Sequence, residues 1–327
     1  MRVQTSEWEE RISHWIRTLK KDLYLPLESI RWEMCSTMEQ LSLAEARELA
    51  YTPVEPGFSW GHTWEYGWFR SKIKLPESAE GKRIVLDLQP GYEATVFVNG
   101  QEFGTWRADW IDEPHHYLED NFLPGEVHAG DTYEIYMEVY AGHYYPAFGI
   151  PDSHTATGPV MEGDYEDPLT EGARRVLGNS TFGIWNETAY QLYMDVSTLR
   201  SLQEVLDESS LRAVKVAEAL EQYTLNVDFE QPLEGRIRDY QKAREGLKPA
   251  LEVTNGSTMP KFYAMGNAHI DLAWLWPMAE TYRKTARTFA AQLRLLEEYP
   301  DYIYIQSQPA AYEMCRKYYP ELFERIK

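Results

Sequence analysis

A strand–helix–strand pattern near the end of the sequence constrains the fold of this chain more than any other feature. Lys261–Met265 reads as a strand, Pro277 opens an amphipathic helix, and Tyr302–Gln306 reads as the next strand. This order predicts a parallel pair of strands joined by a right-handed crossover. Because one such unit cannot cover both faces of its strands, we expect further βα units after residue 327 to complete the domain.

The middle of the chain has a different pattern, typical of antiparallel β-structure. Short alternating stretches, separated by Gly and Pro, run from about residue 58 to residue 200. Tyr133–Val139 and Tyr190–Val196 are two of the clearest predicted strands. Asn99-Gly100 predicts a two-residue hairpin turn, because such a turn needs positive φ at both positions. This spacing indicates a β-sandwich or jelly roll.

Helical periodicity dominates the rest of the chain, so that the whole reads as a multidomain α+β protein. Residues 1–50 read as helical, and helical spacing returns in two stretches between residues 207 and 247. The predicted segments are a helical N-terminal segment, a β-sandwich, a helical linker and an incomplete α/β domain, over residues 1–50, 51–205, 206–257 and 258–327.

Composition narrows the classes of partner and compartment. The net charge of −20 argues against a nucleic-acid partner or an anionic membrane, since both require a basic surface. The sequence has no run of about 20 apolar residues that could span a membrane. Its N-terminus does not resemble a signal peptide. Cys35 and Cys315 fall in different predicted domains, which favours a reducing compartment. We therefore expect a cytoplasmic protein.

His269 and Asp271 are the candidate metal ligands. In extended backbone, residues two apart place their side chains on one face. A neutral imidazole and a carboxylate both suit Zn²⁺, although a zinc site needs at least three protein ligands. From the pattern alone, a core histidine followed by a helix-capping aspartate is an equally good interpretation. Trp274 and Trp276 follow at once and could stack on a sugar ring, and rim packing is the alternative for Trp276.

The extended pattern around these residues resembles a known family. Gly266-Asn-Ala-His-Ile-Asp-Leu-Ala-Trp-Leu-Trp-Pro277 and the later motifs Tyr299-Pro300 and Gln306-Ser-Gln308 resemble the opening of the catalytic domain of class II α-mannosidases, glycoside hydrolase family 38. The likeness is greatest to the cytosolic and bacterial branch. The predicted sandwich, with Trp68-Phe-Arg70 and Val96-Phe-Val-Asn-Gly100, looks like the galactose-binding-like jelly roll that precedes that domain.

The resemblance implies a fold, a substrate and a cofactor. Its catalytic domain is a (β/α)₇ barrel that cleaves α-mannosides of oligosaccharides with retention. One divalent metal, usually zinc, is held by the His and Asp of the motif, here His269 and Asp271, and cobalt is a reasonable competitor. Trp274 corresponds to the residue that stacks on mannose. Family members associate, so we also expect a homo-oligomer.

The same resemblance places the nucleophile, the general acid and the remaining metal ligands after residue 327. A retaining glycosidase needs two carboxylates about 5–5.5 Å apart, and neither role can be assigned here. We therefore expect this chain by itself to be inactive as a mannosidase.

Two rival functions start from other residues. Aromatic loops in the sandwich could make it a carbohydrate-binding module, and the N-terminal helices could form an oligomerisation domain. For the aromatic clusters we favour a structural role, namely packing against the catalytic barrel. These clusters are Trp106, Trp110, His115-His116-Tyr117, His143-Tyr144-Tyr145 and Trp185.

Two further sets of polar residues follow the candidate site along the sequence. Arg283, Lys284 and Arg287 lie on the helix after Pro277, and we predict that they form a solvated face. Gln306 and Gln308 follow the second predicted strand, and we consider that they could reach the site.

Overall fold

A computed structural model describes most of the chain, over residues 4–62, 64–106, 121–142, 175–272 and 276–327. Two compact units divide it. The helical unit joins Met1–Leu25 to Ile184–Phe262, and the β unit joins Pro26–Gly183 to Tyr263–Lys327. The predicted division at residues 50, 205 and 257 remains a prediction, and it does not coincide with these two units.

The helices of the described residues number eight and the strands eleven. The helices are α1 (Ser6–Leu19), α2 (Leu43–Arg47), α3 (Glu187–Val205), α4 (Leu211–Asn226), α5 (Leu233–Leu251), α6 (Met278–Glu298), α7 (Pro309–Tyr318) and α8 (Pro320–Ile326). The strands are β1 (Tyr24–Ser29), β2 (Trp32–Thr37), β3 (Thr52–Val54), β4 (Ser59–Trp60), β5 (Tyr66–Lys74), β6 (Ile84–Asp87), β7 (Ala94–Val98), β8 (Gln101–Trp106), β9 (Thr132–Tyr140), β10 (Arg175–Val176) and β11 (Thr181–Trp185).

The helical unit packs α1, α3, α4 and α5 around buried apolar side chains. A buried polar contact joins distant parts of the sequence, because Asp22 accepts hydrogen bonds from Arg236 Nε at 2.6 Å and from the Tyr240 hydroxyl at 2.5 Å. The predicted strand at Tyr190–Val196 is wrong, since these residues lie in α3. Their burial follows helical spacing, and the Asn186 side chain caps the helix by accepting from the Ala189 amide.

The prediction of a wholly helical segment over residues 1–50 is also wrong. Only α1 and α2 are helical there besides one 3₁₀ turn, while β1 and β2 are strands. Trp32 and Met34 of β2 are buried on alternate positions, and β2 pairs with both β3 and β5. The reason for the failure is that β2 is short and its partners lie further along the chain. The helical prediction does hold at α2, where Ser42 and Glu45 form a capping box at its start.

A six-stranded antiparallel sheet forms the centre of the β unit, in the order β3–β2–β5–β9–β7–β8. Its longest pairing is between β5 and β9, from Tyr66 opposite Tyr140 to Lys74 opposite Thr132. The predicted hairpin is confirmed, since Asn99 (φ 51°) and Gly100 (φ 90°) connect β7 to β8. Two smaller sheets have the orders β1–β11–β6 and β10–β4. The predicted jelly-roll and α+β class is consistent with this arrangement.

The last segment of the β unit has α6, α7 and α8 packed around a small apolar core that includes Phe289, Cys315 and Leu322. The parallel pairing predicted before and after α6 is present, but it is reduced to one bridge between Gly266 and Tyr304. The Gly266 amide donates to the Ile303 carbonyl and the Ile305 amide donates to the Gly266 carbonyl, each at 2.8 Å. The strand predicted over 261–265 is therefore wrong, since the bridge lies at Gly266 just after it, and the strand predicted over 302–306 is reduced to the bridge at Tyr304.

No helix within the described ranges is long and apolar enough to cross a membrane.

Candidate functional site

His269 and Asp271 lie on the loop that connects the parallel bridge to α6. The imidazole Nε2 of His269 and the carboxylate Oδ1 of Asp271 are 3.0 Å apart. Both side chains are exposed, with 72% and 49% of their surfaces accessible. The structure thus brings the two predicted ligands together at the surface. The core-histidine interpretation is wrong for His269, because its side chain is not buried.

The backbone of this loop is fixed by three amide side chains. Gln308 accepts a hydrogen bond from the Ile270 amide at 2.9 Å and donates one to the Ile270 carbonyl at 2.6 Å. Gln306 donates to the Ala268 carbonyl at 2.8 Å, and Asn267 donates to the Ile305 carbonyl at 2.7 Å. Gln306 and Gln308 therefore hold the backbone that carries His269 and Asp271.

Gly266 starts the loop at a position where no side chain fits. A Cβ atom at residue 266 would lie 2.0 Å from the Tyr302 hydroxyl oxygen. The packing of the Tyr302 ring against the backbone at residue 266 depends on this glycine. The glycine of the sequence motif therefore has a packing role next to the candidate ligands.

The donor atoms of the pair fit a divalent metal. An imidazole nitrogen and a carboxylate oxygen bind Zn²⁺ at about 2.0–2.2 Å, and two donors 3.0 Å apart can both reach one ion. In the part of the chain that the structure describes, no group of three or more His, Cys, Asp or Glu side chains could hold a metal. The pair is therefore at most a partial site within these residues.

A cleft of about 260 Å³ opens beside the pair. Its walls include Trp276 from the loop before α6, Lys284 from α6 and Glu93 from the loop before β7. The indole of Trp276 donates to the Thr281 hydroxyl at 3.1 Å, and the ammonium of Lys284 lies 4.6 Å from the indole ring centroid. Trp276 thus lines the cleft beside the pair, whereas Trp274 falls outside the described residues.

The solvated helix face predicted for α6 is wrong. Arg283 and Arg287 are buried, and Lys284 is largely buried. They belong to an ion cluster within the β unit. This ion cluster consists of Glu93, Glu138, Glu280, Arg283, Lys284 and Arg287.

Each cation of the ion cluster has a carboxylate partner. Arg283 donates to Glu138 at 2.6 Å, Lys284 contacts Glu93 at 2.6 Å, and Arg287 contacts Glu93 at 2.8 Å and also pairs with Glu280. The hydroxyl of Tyr66 on β5 donates to Glu280 at 3.0 Å. α6 is thereby bonded to the six-stranded sheet by charged groups, in agreement with the rule that buried charges are paired.

Burial and charge act in opposite directions on the carboxylates of the ion cluster. Burial raises the pKa of Glu93, but the positive charges of Lys284 and Arg287 outweigh it and lower the pKa to about 2. For Glu138, burial is the stronger effect and raises the pKa despite the attraction of Arg283. Burial also lowers the pKa of Arg287, but Glu280 and Glu93 more than offset this, so the pKa is raised and the guanidinium stays charged.

Sequence reasoning missed Glu93 and Glu138 altogether. One signal was available, because Glu138 interrupts an otherwise apolar strand, Ile135-Tyr-Met-Glu-Val-Tyr140, whose residues are almost all buried. A charge inside such a strand needs a buried partner of opposite sign. The cations on the predicted helix were the candidates.

The aromatic clusters of the sandwich are only partly described. Trp106 on β8 and Trp185 on β11 are both buried, so neither presents its indole as a platform for a sugar. The other members lie outside the described residues, namely Trp110, His115, His116, Tyr117, His143, Tyr144 and Tyr145.

Two protein families match the sequence in separate regions. Residues 259–327 match the "Glycosyl hydrolases family 38 N-terminal domain". Residues 25–166 match the family described as "Alpha-mannosidase, jelly roll domain". The two matches confirm the predicted resemblance, and together they cover the ion cluster, the cleft and the candidate ligands.

Curated relatives give the same family and a measure of coverage. Alpha-mannosidase G of Dictyostelium discoideum is 27% identical over 92% of this chain and 26% of its own length. The Alpha-mannosidase of Saccharomyces cerevisiae is 36% identical over 85% of this chain and 25% of its own length. Alpha-mannosidase 2C1 of Homo sapiens is 25% identical over 89% and 26%. The chain spans about a quarter of the length of the relatives it matches.

Proposed function

We propose that this chain, which carries the N-terminal part of a family 38 glycosyl hydrolase, belongs to a retaining, metal-dependent α-mannosidase that removes terminal α-mannosides from oligosaccharides or glycans. The observation that carries the proposal is the 3.0 Å contact between His269 and Asp271 on an exposed loop of the matched domain. The names of the curated relatives, all α-mannosidases, support the substrate class.

His269 and Asp271 are the residues that we propose to hold the metal. Zinc is the expected ion and cobalt its competitor. A bound divalent ion would act as a Lewis acid toward hydroxyls of the sugar. The protein's own part is to keep the imidazole and the carboxylate together, which Gln306 and Gln308 support through the loop backbone. Trp276 lines the adjoining cleft, and we propose that it and Trp274 contact the sugar.

Substitution of the ligands in the whole protein tests this function. His269→Ala or Asp271→Ala is expected to lower hydrolysis of an aryl α-mannoside by about 100-fold or more, since even loss of a group that supports a metal ligand costs 10–100-fold. His128→Ala is the matched control, because His128 and Glu80 form another exposed histidine–carboxylate pair, at 3.1 Å. Equal losses in all three variants, or none, would contradict the metal role.

The 327-residue chain by itself is expected to release no product from an aryl α-mannoside in the presence of zinc. The resemblance places the nucleophile and the acid after residue 327, and retention of configuration requires both carboxylates. Steady product release by the isolated chain would overturn this assignment.

A carbohydrate-binding sandwich remains the rival function. Glycan binding by the whole protein that is unchanged in a His269→Ala/Asp271→Ala double variant would favour it. The buried positions of Trp106 and Trp185 do not favour a carbohydrate-binding role.

We also propose a cytoplasmic location and a homo-oligomeric whole protein. Cys35 and Cys315 are both free thiols, which agrees with a reducing compartment. Cell fractionation and light scattering of the whole protein check the two proposals, and a secreted or monomeric protein would contradict them.

A further inference from the structure

We propose that Glu93, a jelly-roll residue, is a positioning residue of the mannosidase site, acting through Lys284 to set the place of the Trp276 indole. This inference rests on the proposed function for its link to sugar binding, but not for the structural link itself. Glu93 lies in the loop before β7, 183 positions before Trp276 in the sequence (276 − 93). The proposal makes the sandwich a contributor to the site that the barrel segment carries.

The contacts form a continuous path from the sheet to the cleft. The Glu93 carboxylate contacts the Lys284 ammonium at 2.6 Å, and that ammonium lies 4.6 Å from the centroid of the Trp276 ring. A cation and an indole face attract each other, and the attraction is stronger where water is excluded. Lys284 is therefore held between a carboxylate and an aromatic face, and its position couples the two.

A second cation fixes the Glu93 carboxylate itself. Arg287 contacts Glu93 at 2.8 Å and also pairs with Glu280. Glu280 in turn accepts a hydrogen bond from the Tyr66 hydroxyl at 3.0 Å. Because two cations lower the pKa of Glu93 to about 2, the carboxylate stays charged throughout the neutral range. Glu93 is thus a fixed anchor from the sheet.

The location of these groups separates a positioning role from a general structural one. Glu93, Lys284, Arg287 and Trp276 line the same cleft as His269 and Asp271. Glu138 and Arg283 form an equally direct ion pair between the sheet and α6, but neither lines that cleft. Glu138 instead lines a separate groove beside α2 and α8. The Glu138–Arg283 pair is therefore the natural comparison.

Fluorine NMR of the protein labelled with 5-fluorotryptophan tests the link without any substrate. The sequence has 11 Trp residues, and Trp276→Phe identifies the resonance of interest. Glu93→Gln is expected to shift the Trp276 resonance by more than its line width, whereas Glu138→Gln is expected to leave it in place. An unmoved resonance in Glu93→Gln, or an equal shift in both variants, would overturn the proposal.

Kinetics of the whole protein test the consequence for sugar binding. Glu93→Gln is expected to raise KM for an aryl α-mannoside about tenfold, equivalent to about 1.4 kcal/mol, with kcat changed less than about twofold. Glu93→Asp, which keeps the charge, is expected to recover most of the loss. A fall in kcat with KM unchanged, or no recovery by Glu93→Asp, would contradict a positioning role.

The two experiments fail separately. Absence of mannosidase activity in the unsubstituted whole protein would reject the proposed function, while the fluorine spectra would still decide whether Glu93 positions Trp276. If Glu93→Gln does not fold, Glu93→Asp takes its place in the fluorine experiment. It is then expected to shift the Trp276 resonance by a smaller amount, and no shift would count against the proposal.

Discussion

Two pairs of polar side chains in the β unit have similar separations and opposite surroundings. Arg283 and Glu138 are 2.6 Å apart, with 0% and 2% of their side-chain surfaces exposed. His269 and Asp271 are 3.0 Å apart, with 72% and 49% exposed. The first pair joins α6 to the sheet, and the second pair projects from the loop that precedes α6.

The difference in burial determines how much each pair contributes to stability and whether its atoms can reach a ligand. Removing one member of a buried pair leaves a charge without water or partner, which is strongly destabilising. An exposed pair contributes little to stability because water and salt screen it. Its donor atoms are therefore available to a ligand at little cost to the fold. The contrast agrees with an architectural role for the Arg283–Glu138 pair and with the proposed metal-binding role of the exposed pair.

The largest expected effect is the loss of Arg283. Arg283→Met leaves Glu138 buried and unpaired, so we expect the free energy of unfolding to fall by about 3–5 kcal/mol. Urea denaturation measures it. Arg316→Met is the matched control, because Arg316 pairs with Glu313 on the surface of α7 and is expected to cost less than about 1 kcal/mol. Similar losses in both variants would erase the distinction between buried and exposed pairs.

The second largest expected effect is a loss of stability when Glu93 is protonated in acid. Its pKa falls from an ordinary value of 4.5 to about 2 in the folded protein. The stabilisation is therefore complete above pH 4.5 and is lost as the pH falls from 4.5 toward 2, by about 3 kcal/mol in all. Urea denaturation between pH 6 and pH 3 should show that the stability difference between the unsubstituted protein and Glu93→Gln narrows with acid. A difference that widens would contradict the assigned direction.

A smaller effect is expected from removing the side chain that holds the backbone of the loop carrying His269 and Asp271. Gln308→Ala removes two hydrogen bonds to Ile270, and we expect a local loss of about 1–3 kcal/mol. Hydrogen exchange at the Ile270 amide measures it, with faster exchange expected. Gln101→Ala, at an exposed position of β8, is the control. Unchanged exchange in Gln308→Ala would show that the loop is held by other contacts.

The smallest expected change in stability is at the exposed pair. His269→Ala should alter the free energy of unfolding by less than about 0.5 kcal/mol, as is usual for surface substitutions. Thermal unfolding without metal measures it. A loss above about 2 kcal/mol would place His269 with the structural ion pairs.

The sequence predicts features that depend on nearby residues. Asn99-Gly100 identified its hairpin because the turn requires two residues of positive φ. α6 was predicted from its apolar spacing and from Pro277, which precedes its first residue. His269 and Asp271 were placed together because they are two positions apart. In each case the determining interaction lies between residues that are close together in the sequence.

Features that depend on distant residues were missed. The sequence alone makes Arg283 look like a surface cation. Its partner Glu138 is 145 positions away, and only the fold brings the two together. Tyr190–Val196 alternates like a strand, but packing within the helical unit and the Asn186 cap make it helical. Gln308 was considered able to reach the site, but its hydrogen bonds to the Ile270 backbone, 38 positions earlier, were not foreseen. Long-range packing, which a single sequence does not display, decided these outcomes.

Zinc binding by the whole protein tests the central claim most directly. After removal of metal by chelation, zinc titrated by calorimetry should bind the unsubstituted protein and His128→Ala with equal affinity. His269→Ala and Asp271→Asn should each bind at least about tenfold more weakly, because each loses a ligand atom. Equal zinc affinity in His269→Ala and His128→Ala would show that His269 and Asp271 are an ordinary surface pair and that the metal site lies elsewhere.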